Sequence, residues 1–74
     1  GVIINPAGYT IGHPALVGAI RQVRFPTIEV HVTNLSSRNV SSNVAPACKG
    51  VIMGFGLLGY HLGFRALISM LQDS

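Results

Sequence analysis

The most regular segment of the chain is Thr27-Ile28-Glu29-Val30-His31-Val32-Thr33. Apolar residues alternate with polar ones along it and β-branched residues predominate, so the pattern predicts a β-strand with one apolar and one polar face. Glu29 and His31 are two residues apart and share the polar face. A carboxylate beside an imidazole fixes its tautomer and favours its charged form, which prepares the ring for general acid or base catalysis. The same spacing also fits a structural histidine on a half-buried strand.

Shorter apolar runs and turn residues on both sides of this segment predict an α/β fold. The elements follow in the order strand, helix, strand, loop, strand, helix, namely Val2–Ile4, Pro14 to the Phe25-Pro26 stop, Thr27–Thr33, Asn34–Pro46, Gly50–Gly54 and Leu57–Leu71. This order predicts parallel pairing, because parallel strands need long crossovers. Ligands bind beyond the carboxyl ends of such strands, so Asn5 and the residues from His31 to Asn34 are expected at one edge of the sheet.

Composition limits the classes of protein that remain. The 74 residues, of which 49% are hydrophobic and 9% charged, form at most one small domain, residues 1–74, near the lower size limit for independent folding. The single Cys48 excludes an internal disulfide and offers no thiol cluster for zinc. The net charge of +3 is scattered, so no nucleic-acid surface is expected. Three strands leave the sheet open, so we expect further strands upstream or in another chain.

Two glycine patterns in the second half of the chain have competing interpretations. Residues 54–59 match a dinucleotide-binding fingerprint, but they lie too near the end of the chain for the rest of that motif, which favours a tight turn and close helix packing. The apolar span from Gly50 to Leu71 is long enough for a membrane helix, but His61 and Arg65 interrupt it. A strand followed by a buried helix is the favoured interpretation. No signal-peptide pattern is visible, so a cytoplasmic or organellar location is favoured over secretion.

Three blocks of the sequence resemble, in order, signature blocks of the type II 3-dehydroquinate dehydratases. They are Asn5-Pro6-Ala7-Gly8-Tyr9-Thr10, Ile28-Glu29-Val30-His31-Val32-Thr33-Asn34, and Lys49–Gly56 with Gly59-Tyr60. The resemblance implies a flavodoxin-like sheet, represented here by its C-terminal portion only. It also implies assembly as a dodecamer built from trimers, no metal or cofactor, and dehydration of 3-dehydroquinate to 3-dehydroshikimate.

The resemblance assigns catalytic roles to three residues. His31 corresponds to the family histidine that acts as acid on the departing hydroxyl, Glu29 to the carboxylate that orients it, and Asn5 to an asparagine that contacts the substrate. Thr33 replaces a serine whose neighbourhood gives backbone donors to the substrate carboxylate. The implied substrate-binding set is Val32, Thr33, Asn34 and Arg38.

The departures from the family pattern leave two functions open. Ile11 stands where the family has a substrate-binding histidine, Gly18 stands where an acidic residue reaches a neighbouring subunit, and the loop around Arg38 is shorter than usual. The mobile-loop Tyr and Arg that form the enolate have no counterpart here, and Tyr9 lies in the Asn5 turn. We therefore expect either a part of a dehydratase that is inactive alone, or a degenerate structural subunit of a larger complex.

Overall fold

A computed structural model describes residues 1–7 and 13–72 of the chain. Its centre is a three-stranded parallel sheet in the order β1-β2-β3, with β1 at Val2–Ile4, β2 at Thr27–His31 and β3 at Gly50–Met53. Two helices flank it, α1 at Pro14–Gln22 and α2 at Leu58–Gln72. The predicted α/β class and parallel pairing are confirmed, and the arrangement is consistent with part of a flavodoxin-like sheet.

Local sequence signals explain the ends of α1. The helix begins at Pro14, as predicted, because the fixed φ of proline suits a first helical position. His13 precedes it as the N-cap, and its Nδ1 accepts a hydrogen bond of 3.4 Å from the backbone N–H of Leu16. The helix ends at Gln22, and Val23 returns to extended backbone.

The core of the molecule is built around β2, whose five residues are all buried. On one face Ile28 and Val30 pack against α2 at Gly59 and Gly63. A Cβ atom at Gly59 would lie 2.9 Å from Val30 Cγ1, and one at Gly63 would lie 3.3 Å from Val30 Cγ2. The two glycines therefore allow the helix to lie directly on the strand. Burial of each aliphatic side chain contributes about 1.5–3 kcal/mol.

The other face of β2 is covered by the β2–β3 connection, in which residues 34–46 were predicted as a long loop. It contains two short 3₁₀ helices, Leu35–Arg38 and Ala45–Ala47, and the side chain of Val44 between them is fully buried. The strand itself ends at His31, two residues before the predicted end. The reason is that Val32 already bonds outside the ladder, its carbonyl accepting from Gly56 N–H at 2.9 Å.

The glycine-rich segment after β3 is a turn, as the packing interpretation predicted. Gly54 and Gly56 have positive φ angles of 93° and 60°, which side chains disfavour.

The prediction of a buried second helix is wrong. The buried residues of α2 are Gly59 and Gly63, whereas Phe64 and Leu71 are 56% and 72% exposed. Within the described ranges, neither helix combines the length and hydropathy needed to cross a membrane.

Candidate active site

A buried carboxylate–imidazole pair lies at the carboxyl end of β2. His31 Nε2 is 2.7 Å from Glu29 Oε2, and the side chains are 5% and 0% exposed. The contact predicted from their spacing is therefore present. Because an ionised carboxylate can only accept hydrogen bonds, Nε2 carries the proton of this bond. Nδ1 is then the ring atom that can exchange a proton with a ligand.

The second oxygen of Glu29 is held by a residue that the sequence analysis did not identify. Ser42 Oγ donates to Glu29 Oε1 at 3.0 Å, so each carboxylate oxygen has a hydrogen-bond partner. This satisfies the requirement that a buried charge be paired or hydrogen-bonded. Ser42 is one of several serines in a polar loop, and nothing in the local pattern distinguishes it from the others.

Asn5 lies at the same end of the sheet but has a different partner. Its Nδ2 donates to the hydroxyl of Tyr60 at 3.0 Å, and its Oδ1 accepts from Ala7 N–H at 3.1 Å. Through this bond the phenol of Tyr60 connects α2 to the turn after β1. The structure thus places Asn5 beside the strand ends as predicted, with its hydrogen bonds directed to Tyr60 and its own turn.

The four predicted substrate-binding residues surround the exit of β2. Val32, Thr33, Asn34 and Arg38 are all exposed. Arg38 Nη2 donates to Thr33 Oγ1 at 3.3 Å, and Asn34 Oδ1 accepts from Ser36 N–H at 3.0 Å as the cap of the 3₁₀ helix. These contacts link the residues of the rim to one another while leaving its outer surface open to solvent.

The negative charge of Glu29 also affects the thiol of Cys48. Burial raises the pKa of the Cys48 thiol above its ordinary value of 9.0, and the negative charge of Glu29 raises it further. The thiol is therefore protonated at neutral pH.

Among residues 1–7 and 13–72, no cluster of three His, Cys, Asp or Glu side chains is arranged to hold a metal ion.

Of Tyr9 and the two departures Ile11 and Gly18, the structure describes Gly18 only. Tyr9 and Ile11 lie outside the described residues. Gly18 lies within α1, and a Cβ atom there would have nothing within 4 Å. A side chain at this position would consequently extend from the helix into open space in this chain.

The parallel α/β sheet, with a buried carboxylate–imidazole pair at its carboxyl edge, is consistent with part of a flavodoxin-like fold. The sequence profile of the family Dehydroquinase class II matches residues 1–68. The chain therefore belongs to the class II dehydroquinase family.

Curated relatives agree with this assignment. The 3-dehydroquinate dehydratase of Campylobacter jejuni is 45% identical over 76 residues, covering 99% of this chain and 48% of the relative. Those of Campylobacter hominis and Clostridium acetobutylicum are 48% and 45% identical, covering 99% and 97% of this chain and 49% and 52% of the relatives. The chain spans about half the length of the curated relatives it matches.

Proposed function

We propose that residues 1–74 supply the acid side of a 3-dehydroquinate dehydratase active site. The observation that carries the proposal is the buried Glu29–His31 pair, 2.7 Å apart at the carboxyl end of the central strand. The bond to the carboxylate fixes the orientation of the ring and leaves Nδ1 as the atom that can pass a proton to a ligand.

The proposed step is the loss of the hydroxyl group from the enolate of the substrate. In the family, a tyrosine on another segment removes the proton next to the ketone. The electron pair of the enolate then forms the new C=C bond and breaks the C–O bond, while His31 transfers a proton to the departing oxygen. Water leaves, and His31 is neutral until it is protonated again.

The exposed rim residues are proposed to bind the substrate. Backbone N–H groups around Thr33 and the side chain of Asn34 offer donors to a carboxylate, and Arg38 adds a positive charge at the same rim. Asn5 is proposed to contact the substrate from the neighbouring strand, with the Tyr60 hydroxyl holding its amide group. The oligomer of trimers implied by the family would bring further polypeptide to this edge.

The second candidate is a structural subunit without catalytic function. The observations that favour it are Ile11 in place of a histidine and the large exposed apolar side chains of α2 and the turn before it, including Leu57 at 77%. Under this proposal α2 binds other polypeptides and the Glu29–His31 pair only stabilises the sheet.

A fusion protein separates the two candidates. In it, residues 1–74 replace the matching segment of the Clostridium acetobutylicum dehydratase, which is 45% identical. We expect the fusion to convert 3-dehydroquinate, measured as rising enone absorbance, and the 74-residue chain alone to be inactive because the family tyrosine lies on another segment. His31→Ala should lower kcat by roughly 10²–10⁴, the contribution of a positioned acid.

The matched control is His61→Ala, since His61 is an exposed histidine of α2. It should leave kcat unchanged. A fusion that folds and assembles yet shows no turnover would contradict the catalytic proposal, as would full activity of the His31→Ala variant. Either result would favour the structural subunit.

A further inference from the structure

We propose that Ser42 is a positioning residue of the acid–base pair, which acts by fixing the carboxylate of Glu29 and through it the ring of His31. This inference rests on the proposed function for its catalytic consequence. Its structural basis is independent of that function, because it follows from the hydrogen bonds of Ser42 alone.

The hydrogen-bonding capacity of the Ser42 hydroxyl is fully used. Its oxygen accepts from the backbone N–H groups of Val44 and Ala45, each at 3.2 Å. A hydroxyl has two lone pairs and one proton. With both lone pairs engaged, the proton has one direction left, towards Glu29 Oε1 at 3.0 Å. Oε1 is therefore the acceptor of this bond.

Both oxygens of Glu29 are thus held from different parts of the chain. Oε1 is held by the β2–β3 loop through Ser42, and Oε2 lies against the imidazole of the same strand at 2.7 Å. Two bonds fix the plane of the carboxylate, whereas a single bond would allow it to rotate about the ring contact. The orientation of His31 consequently depends on the position of this loop.

The loop is anchored beside Ser42. Val44 is fully buried, and its N–H is one of the two that Ser42 accepts. Loss of the bond from Val44 would remove one of the three hydrogen bonds that fix the Ser42 hydroxyl. Ser42 therefore connects the buried anchor of the loop to the carboxylate of the pair.

The test uses the fusion protein with Ser42→Ala, Ser42→Thr and Ser42→Cys, and with Ser41→Ala as the matched control, because Ser41 is the exposed neighbour in the same loop. We expect Ser42→Ala to lower kcat on the order of tenfold or more with little change in KM, the scale seen when an outer partner of a positioned imidazole is removed. Ser42→Thr, which keeps the hydroxyl, should restore most of the activity.

A second readout does not require turnover. The Nε2–H proton of His31 should give a slowly exchanging downfield signal in proton NMR, which Ser42→Ala shifts or broadens and Ser41→Ala leaves in place. If Ser42→Ala does not fold, Ser42→Cys takes its place, with an intermediate loss expected from the weaker thiol bonds.

The possible failures are distinguishable. An inactive parent fusion contradicts the proposed function, and the NMR signal then decides the role of Ser42 alone. An active parent in which Ser42→Ala matches Ser41→Ala in kcat and NMR signal overturns the positioning role. So does a Ser42→Thr variant as impaired as Ser42→Ala, since the hydroxyl would then not be the group that matters.

Discussion

Replacement of Glu29 by glutamine isolates the charge of the buried carboxylate from its volume. The new side chain would keep one oxygen to accept from Ser42, but its amide NH₂ would face His31 Nε2 where the carboxylate now accepts at 2.7 Å. Two donors would then oppose each other. The ring would have to move its proton to Nδ1, and a doubly protonated ring would have no partner for its Nε2–H.

The size of the effect follows from the lost attraction. Unit charges about 4 Å apart interact by roughly 4 kcal/mol at an effective dielectric constant of 20, which corresponds to about a thousandfold in an equilibrium or rate. Replacement of the carboxylate that orients the histidine of a serine-protease triad by its amide costs roughly 10⁴ in kcat. We therefore expect Glu29→Gln to lower the kcat of the fusion protein by about 10³–10⁴.

Stability should respond much less than activity. The substitution keeps the volume and one hydrogen bond, and it removes the cost of burying a charge, so the free energy of unfolding should change by less than about 2 kcal/mol. Glu29→Ala is the contrasting variant, because it leaves the Ser42 hydroxyl and the His31 ring without partners at about 1–3 kcal/mol each. Enone absorbance gives kcat and thermal melting gives stability. A folded Glu29→Gln variant that retains kcat within about threefold would refute the role of the charge.

Further outcomes concern packing and the buried thiol. Gly59→Ala should destabilise the fusion by about 1–3 kcal/mol in thermal melts, because its Cβ would lie 2.9 Å from Cγ1 of the stiff, fully buried Val30. Gly18→Ala is the matched control in the other helix, where a Cβ meets nothing within 4 Å, and it should stabilise by up to about 1 kcal/mol; equal melting temperatures for the two variants would contradict the close-packing argument. Because its pKa is raised, Cys48 should be alkylated by iodoacetamide more slowly than a free cysteine at pH 8 and reach its full rate only above pH 9. Mass spectrometry of its tryptic peptide follows the reaction. Since the neutral thiol is favoured in the folded state, stability should fall as the pH rises from the ordinary pKa through the raised value. Glu29→Gln should lower the Cys48 pKa and speed alkylation, and an unchanged rate would show that the charge does not reach the thiol.

The sequence predicted those elements whose signals are local. The β-branched alternation of β2, the proline at the start of α1 and the glycines after β3 each determine backbone geometry within a few residues, and all three appear in the structure. The end of β2 was predicted two residues too far along, because the apolar pattern continues through Val32 while the hydrogen bonds of the ladder do not. Strand pairing, and not composition, determines that boundary.

Long-range contacts were harder to predict. The touching of Glu29 and His31 follows from a spacing of two on a strand, whereas Ser42 is separated from Glu29 by 13 positions and Tyr60 from Asn5 by 55. Neither pair has a sequence signal, because each depends on the path of a connecting loop or helix. The exposure of α2 was also missed, since an apolar helix gives no indication of how much of its surface other polypeptide covers.

The central strand has a parallel neighbour on each side, and its residues alternate between Ile28 and Val30 against the glycines of α2 and Glu29 and His31 beneath the loop. A slip of one position would exchange the two sets, pushing a carboxylate into the aliphatic layer and aliphatic side chains into the polar one. The ionisable pair thus helps to determine the register of the central strand. A slipped register is therefore disfavoured by the cost of burying the Glu29 carboxylate among aliphatic side chains.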